Sequence, residues 1–241
     1  MLSTYKEITE GYNLYDLEEI TSTNDVLKSL KNLNQKTVIM AKTQTKGRGR
    51  RENIWSSPIG NLYFSYNENI KLNDLSKIVY IVGLSLAKTI KGLSKTYDVK
   101  IKWPNDVMIN NKKVSGILIE NIKDDVWCIG IGVNIVSSPT LKNASYQATS
   151  LKESGIILDR KEFLSYYLKN YQITYKEYQE KGFNMIKNQW LELALNLNKK
   201  IIVKTEKETK EGIFTNIDDN GYMIITQNNI EERIIAGELF I

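Results

Sequence analysis

Three observations predict an α+β protein with a small β domain at its C-terminal end. Apolar strand-like runs (Tyr15 to Ile20, Thr37 to Ala41, Val126 to Asn134) alternate with a stretch at helical spacing through Ile78, Ile81, Val82 and Leu86. Residues 159 to 198 then keep helical spacing, with Leu164, Tyr167, Leu168, Tyr171, Tyr175 and Tyr178 on one stripe. From Lys200 the texture changes to short runs (Ile201-Ile202-Val203, Gly212-Ile213-Phe214, Gly221 to Thr226, Arg233-Ile234-Ile235) parted by Asp218-Asp219-Asn220-Gly221 and Asn228-Asn229. That is the pattern of a small antiparallel barrel. A boundary follows between a body, 1–198, and a terminal domain, 199–241.

Composition narrows the chemistry. The 241 residues, 41% of them hydrophobic, suffice for a sizeable core. No apolar run reaches the roughly 18 residues of a membrane span, and Met1 to Glu7 has no apolar signal core, so a cytoplasmic protein is expected. The single cysteine, Cys128, lies in an apolar run and reads as a buried small residue, with no disulfide possible within the chain. Histidine is absent altogether. Every Ser-His-Asp or Cys-His scheme is therefore excluded, as are the usual Cys/His zinc sites. That favours catalysis by positioning and charge stabilisation, of which nucleotidyl transfer from ATP with magnesium is a leading example. Residues 200–241 hold five Lys/Arg against eight Asp/Glu, so the basic excess lies in the body. It suits ATP, pyrophosphate, an acidic protein partner or nucleic acid equally.

Taken in order, Tyr15 to Ile20 reads as a strand, and Thr21-Ser22-Thr23-Asn24 as the cap of a short helix bearing Leu27, Leu30 and Leu33. After the strand Thr37 to Ala41 comes Thr45-Lys46-Gly47-Arg48-Gly49-Arg50-Arg51. Its glycines permit close approach, and its guanidinium forks match phosphate and carboxylate oxygens. A solvated basic turn or a nucleic-acid patch fits the same string. A turn from Trp55 to Gly60 leads into the strand Asn61 to Tyr66, and Asn73 or Asp74 caps a helix that ends near Gly92.

Val99 to Trp103 reads as a strand broken by Pro104. Val107 to Ile109 and Lys113 to Glu120 form a hairpin about Asn110-Asn111-Lys112. Gly130 and Gly132 mark close approach of a ligand or backbone, or bulges. Asp159 with Glu162 fits a capping box.

Two stretches carry a resemblance. The arginine loop, with Lys102-Trp103-Pro104-Asn105-Asp106 and Lys113-Val114-Ser115-Gly116-Ile117-Leu118, resembles the motifs of the biotin protein ligases, in their order and spacing. The resemblance covers about Thr21 to Ile241. It implies a mixed-sheet catalytic domain related to class II aminoacyl-tRNA synthetases, followed by a small SH3-like barrel. It also implies a two-step reaction: biotin and ATP give biotinyl-5′-AMP and pyrophosphate, and a lysine of a biotin carboxyl carrier protein then takes the biotin. Magnesium is the implied activator; its ligands are left open.

By position, Ser22, Thr23, Asn24, Gln44, Arg48, Gly49, Arg50, Lys113 and Gly116 fall on biotin- or adenylate-binding places. Arg51, Trp55, Lys102, Asn105 and Asn134 fall on the nucleotide side, with Trp55 against the adenine face. Arg48 and Lys113 are the implied stabilisers of charge, and Asp106 the residue that activates or orients the incoming lysine. Two departures stand out. Glu52-Asn53 replaces the usual Gly-Arg/Lys after Arg51, and about 20 residues before Thr21 are too few for the DNA-binding domain of bifunctional members. A monofunctional ligase without DNA binding is expected, either monomer or homodimer.

Overall fold

The computed structural model describes residues 7–94, 96–139, 146–205 and 207–240, with the backbone alone for Glu7, Ile8, Glu52, Glu238 and Phe240. The chain divides into two compact units, each built from several segments: 1–72, 114–140 and 148–169 in the first, 73–113, 141–147 and 170–241 in the second.

The first unit is a mixed sheet with helix on both faces. Its strands are β1 (Glu7–Thr9), β2 (Tyr12–Ile20), β3 (Thr37–Gln44), β4 (Leu62–Asn69), most of β7 (Lys112–Lys123) and β8 (Val126–Val133), in the order β1-β2-β3-β4-β8-β7. β2 and β3 are parallel, joined across the short helix α1 (Thr23–Lys28); the other pairings are antiparallel. Alternation along β4 sorts the two faces. Ser65 points toward α1, while Phe64 and Tyr66 turn the other way onto Tyr167, whose hydroxyl lies 2.7 Å from that of Tyr66. Tyr167 belongs to α3 (Arg160–Lys181), anchored at its start by the paired Arg160 and Asp16, 2.7 Å apart. On the α1 face Leu27, Ile39 and Cys128 form a fully buried cluster.

The second unit holds α2 (Leu75–Leu93), the hairpin β5 (Val99–Lys102) and β6 (Asp106–Ile109), the later part of α3, α4 (Phe183–Glu192) and a five-stranded antiparallel sheet. That sheet comprises β9 (Lys200–Lys204), β10 (Thr209–Ile217), β11 (Met223–Gln227), β12 (Ile230–Ile234) and β13 (Glu238–Phe240), ordered β12-β11-β10-β9-β13. Trp103, just past β5, is core. It is 3% exposed, and its Nε1 donates to the Tyr80 hydroxyl, which donates to the carbonyl of Gly221.

Two expected elements differ. The helical stretch 159–198 is broken at Gly182, where φ is +77°, and ends at Glu192, followed by left-handed turns at Asn196 and Asn198. Asp159 does accept from the Lys161 amide, but Glu162 accepts from the Tyr166 hydroxyl, its neighbour one turn on. At the other helix, Asp74 stands at the N-cap without a side-chain capping bond, and its carboxylate accepts from Tyr178 and Lys77 instead. Among the described residues no helix is long and apolar enough to cross a membrane.

Candidate functional site

In the first unit the Thr-Ser-Thr-Asn segment is not a capping device. Ser22 is the N-cap residue of α1 yet makes no side-chain cap bond, and Ser22, Thr23 and Asn24 are each 4% exposed. Their partners come from the sheet. Gln44 Oε1 accepts from both the amide (2.8 Å) and the hydroxyl (3.2 Å) of Thr23, and its Nε2 donates to Ser57 Oγ at 3.0 Å. Ser65 Oγ lies 2.7 Å from Thr23 Oγ1 and 2.5 Å from Asn24 Oδ1. Asn24 Nδ2 donates to Glu120 Oε2 at 2.5 Å. Buried polar groups of this density need matched partners, and Thr23, Asn24, Gln44 and Ser65 have them.

The floor under this cluster is made of small residues in register. On neighbouring strands Ser65 faces Gly130, and Gly132 faces both Tyr63 and Gly116. β8 runs regularly past Gly130 and Gly132, so neither forms a bulge. A Cβ at Gly130 would overlap the Asn24 carboxamide, and one at Gly132 the Trp55 indole. The glycines therefore admit two of the candidate side chains. Asn134 is 2% exposed, donates from Nδ2 to the Thr149 carbonyl and, through its backbone, bonds Val114 and Leu151, so it pins the segment after β8.

The arginine loop is a closed turn. Gly47 accepts from the Trp55 amide at 2.9 Å, Arg48 bridges to Ile54, and the Gly49 amide donates to Asn53 at 2.6 Å. Arg51 turns the tip with φ 52° and ψ 42°. The altered Glu52 side chain lies outside the described residues. Arg48 does not extend into solvent: its two terminal nitrogens donate to the two oxygens of Asp25 at 2.8 and 2.6 Å, and Glu120 lies 3.9 Å away. The Arg48 hydrogen bonds hold the Asp25 carboxyl below its ordinary pKa, against its partial burial, and raise that of Arg48. Arg50 and Gly49 are half-buried and Arg51 is exposed.

The second unit carries a separate cationic cluster. Lys113 Nζ is 2.7 Å from Asp106 Oδ1 and 3.5 Å from the Tyr146 hydroxyl. Lys102, 3% exposed and paired with Asp106 across β5 and β6, places its Nζ 4.2 Å from the Tyr146 ring centre. Burial opposes the charge on Lys113, but Asp106 and Tyr146 outweigh it and raise its pKa above the usual lysine value. Asn105 lies in the tight turn between β5 and β6.

The candidate residues thus fall into two groups: Ser22, Thr23, Asn24, Gln44, Arg48, Gly49, Arg50, Arg51, Trp55, Gly116 and Asn134 in one unit, Lys102, Asn105, Asp106 and Lys113 in the other. Sequence reasoning missed Asp25, Ser65, Glu120 and Tyr146. Only Glu120 carried a local signal, a carboxylate closing the apolar run Ile117-Leu118-Ile119. Among the described residues no group of three or more His, Cys, Asp or Glu side chains is placed to hold a metal ion.

Comparison with known proteins bears on this geometry. Residues 17–135 match the Biotin/lipoate A/B protein ligase family, and residues 197–241 match the Biotin protein ligase C terminal domain. The biotin–[acetyl-CoA-carboxylase] ligase of Paracoccus denitrificans is 32% identical, over 93% of this chain and 98% of its own length. The bifunctional ligase/repressor of Bacillus spizizenii is 30% identical, over 95% of this chain and 74% of its own. Among solved structures, the biotin protein ligase of Aquifex aeolicus in complex with biotin and ATP superposes with a TM-score of 0.84 at 33% identity, covering 94% of this chain and 97% of that one.

Proposed function

The chain belongs to the biotin protein ligase family, an ATP-dependent ligase by its relatives, and from that premise we propose that it activates biotin and transfers it to a carrier lysine. In the first step the biotin carboxylate attacks the α-phosphorus of ATP, forming the biotinyl-5′-AMP mixed anhydride and releasing pyrophosphate. In the second, the amine of a carrier-protein lysine attacks the anhydride carbonyl, leaving an amide and AMP. Magnesium enters as the counter-ion of ATP, a role that needs few protein ligands because phosphate oxygens and water supply the rest.

The observation that carries the reading is the polar cluster of the buried Thr23, Asn24 and Ser65 with the half-buried Gln44 above a glycine floor. A ureido ring offers two N–H donors and one oxygen, and a buried site for it must supply acceptors and donors at fixed places. The arginine loop is assigned to hold the carboxylate and phosphate ends: Arg50 and Arg51 through their side chains, Arg48 by docking the loop on Asp25. Lys113 is assigned to charge developing on the α-phosphate, Lys102, Asn105, Trp55 and Asn134 to the nucleotide side, and Asp106 to the incoming amine. Closure of the loop would keep water from the anhydride.

The test is transfer itself. Purified protein with ATP, magnesium, biotin and the biotin carrier domain of a carboxylase should label that domain, detected by streptavidin. Replacing the target lysine by arginine should abolish the label. Labelling that survives this replacement, or none on the unaltered domain, would reject the proposal.

A further inference from the structure

Glu120 stands where an apolar strand has no need of a charge, and its contacts define the polarity of its neighbour. Its Oε1 lies 3.1 Å from Lys28 Nζ, and its Oε2 lies 3.9 Å from Arg48 and accepts the Asn24 amide hydrogen at 2.5 Å. Between two cations, a carboxylate offers acceptors only. The Asn24 carboxamide therefore has one orientation: Nδ2 toward Glu120, Oδ1 toward Ser65 and over Gly130, where a Cβ would overlap it.

Ser65 supplies at most one of the two hydrogen bonds that Oδ1 can accept. The second lone pair belongs to a buried residue, 4% exposed, within the cluster already assigned to the ligand ring. An amide flipped the other way would present N–H to an N–H and repel it.

We infer that Glu120 is a positioning residue for ligand specificity: by holding Asn24 Nδ2 it fixes Oδ1 as the acceptor that reads a ring N–H. The inference rests on the biotin reading of the same site and adds the basis on which a ureido donor is told from a ring of the same shape without it.

The experiment compares biotin with an analogue in which one ureido N–H, tested at each position in turn, is replaced by CH2. Adenylation is followed as pyrophosphate release by the wild type, Glu120→Gln and Glu120→Asp. For the wild type, one of the two analogues should lose roughly 100-fold or more in kcat/KM, because it leaves a buried acceptor unpaired. In Glu120→Gln the partner can donate as well as accept, the Asn24 amide is free to flip, and discrimination should fall to about tenfold or less, chiefly through the KM for biotin. The KM for ATP should stay as it was. Glu120→Asp, still an acceptor, should keep more discrimination than Glu120→Gln.

An unchanged ratio in Glu120→Gln would overturn the inference. Should neither variant fold, a complex of the wild type with biotin decides: a ureido nitrogen within hydrogen-bond distance of Asn24 Oδ1 supports it, and one out of reach overturns it. Failure of the wild type to release pyrophosphate with biotin would instead reject the proposed function, so the two claims are tested apart.

Discussion

Arg48 and Asp25 meet fork to fork, two nitrogens on two oxygens at 2.8 and 2.6 Å, and that pair fastens the arginine loop to the first turn of α1. The helix that carries Thr23 and Asn24 and the loop that carries Arg50 and Arg51 are thereby held in one arrangement. Side-chain exposures of 35% and 40% limit what the pair adds to stability, to about 0.5–1 kcal/mol.

Arg48→Ala should accordingly lower the melting temperature by no more than about 2–4 °C while speeding loss of the bound adenylate by roughly tenfold, about 1.4 kcal/mol. Asp25→Ala should do the same, and the double variant should be little worse than either single one. Adenylate dissociation at the wild-type rate in Arg48→Ala would contradict the docking role. The pair also has a pH signature. Because the Asp25 pKa is lowered in the folded protein, its contribution is complete above the ordinary value of 3.8 and is lost as the pH falls below that toward the lowered one. Loop docking should therefore be indifferent to pH between 5 and 8.

Lys113→Ala should slow adenylation by roughly 100-fold or more, the cost of removing one preorganised charge. Transfer from preformed biotinyl-5′-AMP should change less. The Lys113 pKa is raised, so its ammonium persists until the pH passes above the ordinary lysine value of 10.5, and no loss of the first step between pH 7 and 9 should trace to it. Normal pyrophosphate release by Lys113→Ala would remove Lys113 from the first step.

Gly130→Ala and Gly132→Ala should separate the two halves of the substrate pair. The first pushes against Asn24 and should raise the KM for biotin by roughly tenfold or more; the second displaces Trp55 and should raise the KM for ATP. Steady-state kinetics with each substrate varied checks both. The same effect of both variants on both constants would show that the residues do not divide in this way.

Cys128 is fully buried, and burial pushes its thiol up to about 12. A thiol-specific reagent at pH 8 should leave it unmodified in the native protein and modify it on unfolding. Rapid reaction in the native state would contradict its place in the α1-side core.

Much of the fold was legible because it is local. The runs Tyr15 to Ile20, Thr37 to Ala41 and Val126 to Asn134, the helix after Asp74 and the alternating C-terminal runs all declare their period within a few residues. The site was legible only as motifs. Thr23 finds Gln44 across 21 residues, Asn24 finds Ser65 across 41 and Glu120 across 96. No local pattern distinguishes these inward-facing groups from a helix cap. For the same reason nothing in the sequence singled out Asp25, and Gly130 and Gly132 stood open between bulge and close approach until the register of β4, β7 and β8 decided it. The break at Gly182 was local, but a single glycine within helical spacing does not announce a positive φ.

The most direct test of the central claim is pyrophosphate release from ATP and magnesium by the purified protein, with biotin, lipoate, octanoate or no acid supplied. Release with biotin alone is the expected result. Release with lipoate or octanoate in preference to biotin, or with no acid dependence at all, would contradict the assignment of the Thr23, Asn24, Gln44 and Ser65 cluster to a ureido ring.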